Sequence, residues 1–235
     1  MKKYFENEIV TLWLGDCRGV EVPCDLIVTD PPYGMEYKSN WSGNFEMLAM
    51  DDDIKGVQEC LLHACKKLKD NRHLYIFGDK FDHSGLPLGG ITELIWDKMI
   101  MGMGDLTAPW GPQHEKITFA VYLSRKSHRE KNRGALSARV RHGSVLRYQK
   151  PHGGAVTRHP TEKPVDLLRQ LIESSSVMGE CVYDPFVGSG STLIASIMEG
   201  RKSVGVEINE AYCEVAAKRI EAVMGLEMMR STQDL

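Results

Sequence analysis

The sequence predicts an α/β domain in which a largely parallel sheet is covered by helices, and three observations lead there. Short apolar, β-branched runs end repeatedly at a carboxylate: residues 9–14 run into Gly15-Asp16, 25–29 into Asp30, 180–184 end on Asp184 and 203–207 on Glu207. Segments with 3.6-residue apolar spacing lie between such runs, at 54–68 and from 165 onward. Residues 184–192, Asp-Pro-Phe-Val-Gly-Ser-Gly-Ser-Thr, form a glycine-rich turn from a strand into a helix. Alternating strand and helix patterns make parallel sheets, and open sheets of this kind bind ligands in the crevice beyond the strands' carboxyl ends. The strand-end carboxylates are therefore the first candidates for a site.

At 235 residues, one such domain accounts for the whole chain. Its parts divide into residues 1–124, 125–158 and 159–235. With 42% hydrophobic and 26% charged residues the composition is that of a soluble globular protein. The uncharged run 185–198 is broken by Gly and Ser and is too short to span a bilayer, so no membrane association is expected. The first eight residues lack the apolar core of a signal peptide, and the expected location is the cytoplasm. The six cysteines contain no C-x-x-C pair; neither a disulfide framework nor a metal site is expected.

The net charge of −3 conceals a division. Residues 125–150 hold nine Lys/Arg and one acid, whereas the rest of the chain holds 20 basic and 31 acidic residues. A basic, turn-rich stretch between two structured halves is a footprint for phosphates. Arg125, Lys126, Arg129, Lys131, Arg133, Arg139, Arg141 and Arg147 are the candidate phosphate contacts.

In chain order, the first two strands, 9–14 and 25–29, are followed by a polar loop at 34–44 carrying Tyr37 and Trp41. The helix at 54–68 places Ile54, Val57, Leu61, Ala64, Cys65 and Leu68 on one face, with Lys66, Lys67 and Lys69 near its negative end. Strands are predicted at 73–77, 93–97 and 117–122, the last two separated by a glycine- and proline-punctuated loop at 99–112 that lies near the site. Pro164 opens a helix whose face is Val165, Leu168, Leu171 and Ile172. Beyond it come the strand 180–184, the glycine-rich turn and its helix, the strand 203–207 and a last helix over 208–224. That makes seven strands.

Asp30, Pro31, Pro32 and Tyr33 carry the chemistry. The prolines fix φ and donate no N–H, which leaves local carbonyls facing the crevice. Tyr33 offers a ring for stacking. In the second motif Gly188 and Gly190 let backbone approach a ligand, and the helix amino terminus favours an anion. A dinucleotide fingerprint would need a third glycine where Leu193 stands, and no P-loop lysine is present. Glu207 stands where such folds place the ribose-binding acid.

The Asp30-Pro31-Pro32-Tyr33 stretch resembles the Asp-Pro-Pro-Tyr motif of enzymes that methylate exocyclic amino groups of bases. Together with residues 184–192, Glu207, His159-Pro-Thr-Glu-Lys-Pro164 and Gly15-Asp16, the chain resembles the β group of DNA amino methyltransferases over about 9–224, in which the motif halves occur in circularly permuted order. The resemblance implies a Rossmann-like methyltransferase fold, a mostly parallel seven-stranded sheet with helices on both faces and an antiparallel strand at one edge, plus a short basic target-recognition insertion. It implies S-adenosylmethionine as cofactor, lined by Asp16, Asp30, Thr161, Lys163, Asp184, Phe186, Gly188, Gly190, Ser191, Thr192 and Glu207, with Asp16 near the adenine and Thr161 and Lys163 at the methionine end. It implies double-stranded DNA as substrate and adenine N6 as target, because cytosine-N4 enzymes of the group usually carry Ser at position 30. A homodimer and a restriction endonuclease partner are compatible with it. The alternatives are a cytosine-N4 enzyme, an RNA base methyltransferase, and a DNA-binding protein without catalysis.

Overall fold

The computed structural model describes residues 1–32, 54–79, 82, 85–102, 106–107, 109–123, 142–150 and 162–233, with side chains of the last helix described to residue 226. In chain order its elements are β1 (Lys2–Glu6), β2 (Val10–Leu14), β3 (Cys24–Thr29), α1 (Ile54–Cys65), β4 (Leu68–Phe77), β5 (Leu88–Asp97), β6 (His114–Tyr122), β7 (Val145–Arg147), α2 (Val165–Ser175), β8 (Cys181–Asp184), α3 (Ser191–Met198), β9 (Lys202–Glu207) and α4 (Glu210–Gln233). All nine strands among the described residues join one sheet in the order β1-β2-β9-β8-β3-β4-β6-β5-β7. From β2 to β4 every neighbouring pair is parallel; β6 runs antiparallel to both β4 and β5, β7 is parallel to β5, and β1 is antiparallel to β2.

The central strand β3 is buried along its whole length, as its unbroken apolar run requires of a strand covered on both faces. Alternate side chains go to opposite sides. Ile27, Leu74, Ile76, Tyr183, Val204 and Val206 pack with Val57, Cys60, Leu61 and Ala64 of α1. Leu26, Val28, Tyr75, Phe77 and Val182 pack with Leu167, Leu168, Leu171 and Ile172 of α2. On that second side Val10 and Leu12 of β2 meet Leu193 and Ile197 of α3 and Cys213, Ala216 and Ile220 of α4. Helices thus cover both faces.

The expectation of seven strands is corrected to nine among the described residues, since β1 and β7 carry no signal that predicts them. β1 holds three charges in five residues and pairs on one side only, so its sequence lacks the apolar run that marks a buried strand. β7 is the three-residue end of the basic stretch, held by pairing Val145, Leu146 and Arg147 with Ile95, Trp96 and Asp97. An antiparallel strand does stand at one edge, β1 beside β2, and a second one, β6, lies inside the sheet because β5 and β7 continue it beyond β6. Both β4 and β5 begin earlier than expected, at Leu68 and Leu88. The polar start of β4 is held by charge, with Lys69 Nζ 2.7 Å and Arg72 3.3 Å from Asp25. In β5 the Gly89-Gly90 pair forms an irregularity in register with Gly90 at φ +60°.

α2 is fastened to the sheet by a polar contact as well as an apolar one. The buried Ser175 hydroxyl lies 2.9 Å from His73 Nδ1 and 2.7 Å from the Tyr75 hydroxyl. Burial, followed by the neighbouring Arg72 charge, pushes His73 down to about 4, so the ring stays neutral at physiological pH. Ser175→Ala strands two buried polar groups and is expected to lower stability by about 1–3 kcal/mol. Denaturant unfolding measures it; a loss below about 0.5 kcal/mol, the lower end for a single net hydrogen bond, would show that the contact contributes nothing.

Candidate active site

The strand order β2-β9-β8-β3 sets four carboxylates side by side along the carboxyl ends of the sheet. Asp16 follows β2, Glu207 ends β9, Asp184 ends β8 and Asp30 follows β3. Carboxylates brought together and partly desolvated repel one another and lose hydration, so each needs its own compensation. Asp16 caps a single 3₁₀ turn (Cys17–Gly19) and is gripped by Arg18, whose Nε lies 3.0 Å and Nη2 2.6 Å away. That guanidinium holds Asp16 below the usual carboxylate range. Glu207 accepts the backbone N–H groups of Gly188 and Asn209, both at 2.8 Å, yet burial still raises its pKa. Asp184 accepts the Thr29 hydroxyl at 2.8 Å, the Phe186 N–H at 3.0 Å and the Thr192 hydroxyl.

Asp30 is compensated by a buried cation. Lys163 Nζ lies 2.6 Å from Asp30 Oδ2 and 3.2 Å from Glu115 Oε2, and Glu115 is in turn 2.7 Å from Lys98. The ammonium stands 5.2 Å from the Phe77 ring and 6.0 Å from that of Trp96. Burial works against its charge, but Asp30 and Glu115 outweigh burial and hold Lys163 above the ordinary lysine value. Pro31 is buried and Pro32 half-buried, so the chain leaves β3 on a rigid support.

The glycine-rich turn lies against these acids. Gly188 and Gly190 take φ of +52° and +88°, and a Cβ on Gly190 would come within 2.9 Å of Ala216 Cβ. Both positions need glycine for conformation, and Gly190 for space also. The Val187 N–H donates to the Val206 carbonyl at 3.0 Å, laying the turn over β9. Arg219 of α4 ties the turn to the segment before α2: it donates to Ser189 O at 2.7 Å and Ser189 Oγ at 2.9 Å and pairs with Glu162. Glu162 in turn accepts the Ser191 hydroxyl at 3.4 Å.

Of the residues singled out from sequence, the structure brings together Asp30, Pro31, Pro32, Lys163, Asp184, Phe186, Gly188, Gly190, Ser191, Thr192 and Glu207, with Asp16 at the end of β2 further along the row. Tyr33 and Thr161 lie outside the described residues, as do Tyr37 and Trp41 and the basic residues Arg125, Lys126, Arg129, Lys131, Arg133, Arg139 and Arg141. Arg147 is on β7 at the sheet edge, 70% exposed and 3.5 Å from Asp97. Sequence reasoning misses Glu115, Arg219 and Arg18. Glu115 opens a strand and Arg219 sits on a long polar helix, and neither position carries a periodic signal.

Asp184 has a measurable consequence. Burial chiefly, with hydrogen bonds opposing it and the Asp30 charge adding to it, raises its pKa from 3.8 to about 6. The folded state therefore holds a proton that the unfolded chain has lost, so this residue's contribution to stability falls as pH rises through about 4 to 6. The difference is on the order of 3 kcal/mol. Asp184→Asn removes the titration while keeping an acceptor oxygen. It is expected to be more stable than the parent at about pH 8 and to lose that advantage near about pH 4, as followed by thermal unfolding; an advantage independent of pH would contradict the assignment.

Comparison with known proteins gives the same picture. Residues 24–218 match the family model described as DNA methylase, of the N6/N4 methyltransferase type. The DNA adenine methyltransferase YhdJ of Escherichia coli (strain K12) is 27% identical over 253 residues, covering 92% of this chain and 84% of that protein. Among solved structures, the M1.HpyAVI complex with S-adenosylmethionine aligns with a TM-score of 0.65 at 20% identity over 90% of this chain and 99% of that one. The cytosine-N4-specific PvuII DNA methyltransferase aligns at 0.68 and 14% identity over 92% and 88%. At these identities the two structures establish the fold alone. With the family match extending over most of the sheet and both motifs, the chain belongs to the DNA methylase family of N6/N4 methyltransferases.

Proposed function

We propose that this protein transfers a methyl group from S-adenosylmethionine to the N6 amino group of adenine in double-stranded DNA, with Asp30 accepting that amino group's N–H. The observation that carries the reading is the Asp30 carboxylate, anchored by Lys163 at the end of β3 one strand away from the buried acid Asp184. An exocyclic amino nitrogen has its lone pair spread into the ring. A carboxylate that accepts its N–H draws the nitrogen toward tetrahedral geometry and stabilises the positive charge that forms there, which lowers the transition state more than the ground state. Pro31 holds the carbonyl beside Asp30 in place as a second acceptor. The methylated nitrogen is a strong acid and sheds its proton to water.

A buried acid, Asp184, and a half-buried one, Glu207, at adjacent strand ends beside a turn with glycines at positive φ suit a ligand bearing ribose hydroxyls and an ammonium group. Glu207 would take the ribose, Asp184, Phe186 and the backbone of the turn from Gly188 to Thr192 the middle of the cofactor, Asp16 the adenine, and Thr161 and Lys163 the methionine end. When bound, this cofactor supplies an electrophilic methyl group on a sulfonium. The Asp-Pro-Pro stretch precedes the glycine-rich turn in the chain although β3 and β8 are neighbours in the sheet, which supports the circularly permuted, β-group reading. Adenine is favoured over cytosine by the adenine-methylating relative and by Asp at position 30.

The two halves of the site are separable by mutation. Asp30→Ala is expected to slow methyl transfer by at least about 10²-fold with cofactor affinity nearly intact, since charge stabilisation of this kind is worth about 3–4 kcal/mol. Glu207→Ala is expected to raise the cofactor dissociation constant about 10- to 100-fold while leaving the saturated rate nearly unchanged, a charge-assisted hydrogen bond contributing about 1.5–3 kcal/mol. Calorimetric titration and single-turnover kinetics on both variants check this, and an exchange of the two phenotypes would reverse the roles.

The basic segment makes a separate prediction. Replacing Arg139, Arg141 and Arg147 with Ala is expected to weaken DNA binding and flatten its salt dependence, the log-log slope falling by about 0.9 for each arginine that neutralises a phosphate, with cofactor affinity unaffected. Duplex titrations across a range of salt concentrations measure the slope. An unchanged slope would mean that these residues only solvate a face.

A further inference from the structure

Lys163 does not belong to Asp30 alone. Its ammonium is buried between two carboxylates on different strands, Asp30 after β3 and Glu115 in β6, and beside the rings of Phe77 and Trp96. Glu115 is itself paired with Lys98 at 2.7 Å, so charges alternate along a chain running Asp30, Lys163, Glu115, Lys98. Burial raises the Glu115 pKa and the two lysines lower it further than burial raises it, leaving a charged, half-buried carboxylate. Lys163 is buried whereas Glu115 is half-buried, and placing a second acid on the lysine that touches Asp30 divides a buried charge that one carboxylate already compensates.

A lysine paired with a single carboxylate offsets its charge and competes for its lone pairs. Shared between two carboxylates, the same ammonium still fixes the orientation of each but offsets only part of either charge. For Asp30 the distinction matters, because its task is to accept an N–H and to face a developing positive charge. We infer that Glu115 is a positioning residue for methyl transfer: it divides the Lys163 ammonium with Asp30, so that the lysine aims the Asp30 carboxylate without cancelling it. The inference rests on the reading of Asp30 as acceptor of the base amino group. Glu115 touches neither base nor cofactor in this role and acts through Lys163.

Glu115→Gln keeps the size and one acceptor oxygen while removing the charge; because Lys98 contacts Oε1 and Lys163 Oε2, only one of the two lysines keeps an acceptor. The expected result is a single-turnover rate at saturating cofactor and duplex at least about tenfold below the parent, with the dissociation constants of S-adenosylmethionine and of duplex DNA within about threefold, one order of magnitude being about 1.4 kcal/mol of transition-state stabilisation. Glu115→Asp, which retains the charge at shorter reach, is expected to be at least about threefold faster than Glu115→Gln. A Glu115→Gln rate within about twofold of the parent overturns the inference. So does a folded Glu115→Asp as slow as Glu115→Gln, or a rate loss matched by an equal rise in the cofactor dissociation constant, which would assign the pair to cofactor binding. If Glu115→Gln melts below the assay temperature, Glu115→Asp decides: slowing of about threefold or more with unchanged dissociation constants supports the inference, and any smaller effect overturns it. A parent that methylates no adenine fails the functional reading itself, whereas an active parent matched by Glu115→Gln fails only this inference.

Discussion

The constraint on which this structure turns is the cost of lining up acids at one end of a parallel sheet. Parallel pairing of β2, β9, β8 and β3 brings their carboxyl ends to the same side, and each strand delivers an acid there. Every acid is stabilised by a different device: a guanidinium for Asp16, backbone N–H groups for Glu207, hydroxyls and an N–H for Asp184, a buried ammonium for Asp30. The differences sort the acids chemically. Asp184 is pushed up to about 6 and serves as a buried acceptor, whereas Asp30 is held beside a cation where its charge is available.

The remainder of the fold holds that row in register. α2 enters directly from the segment carrying Glu162 and Lys163, so packing Leu167, Leu168, Leu171 and Ile172 on the sheet also places Lys163 against Asp30. α4 does the same for the glycine-rich turn, because the helix that buries Cys213, Ala216 and Ile220 carries Arg219 to Ser189 and Glu162. The hydrogen bond from Thr29 to Asp184, 155 residues apart in sequence, closes the site across the two motif halves.

Much of this is legible in the sequence because apolar runs and glycine turns are local signals. Residues 25–29, 180–184 and 203–207 each read as a strand with an acid at or just beyond its end, and the structure has β3, β8 and β9 there. What stays hidden is of two kinds. Edge strands such as β1 and β7 are short and charged and gain their order from a neighbour, so no period betrays them. Partners such as Glu115 and Arg219 act across long separations, Arg219 reaching Glu162 over 57 positions, and only the sheet order brings them within reach. The motif around Lys163 points to a cofactor ligand, and no spacing rule reveals that its ammonium lies on Asp30.

The most direct measurement is product identity. The purified chain is incubated with duplex DNA and S-adenosylmethionine carrying a labelled methyl group, and the digested nucleosides are resolved by mass spectrometry. Transfer to adenine through Asp30 predicts the label on N6-methyldeoxyadenosine, absent when Asp30 is replaced. Label on N4-methyldeoxycytidine, on RNA in preference to DNA, or unchanged on adenine without Asp30 would contradict it.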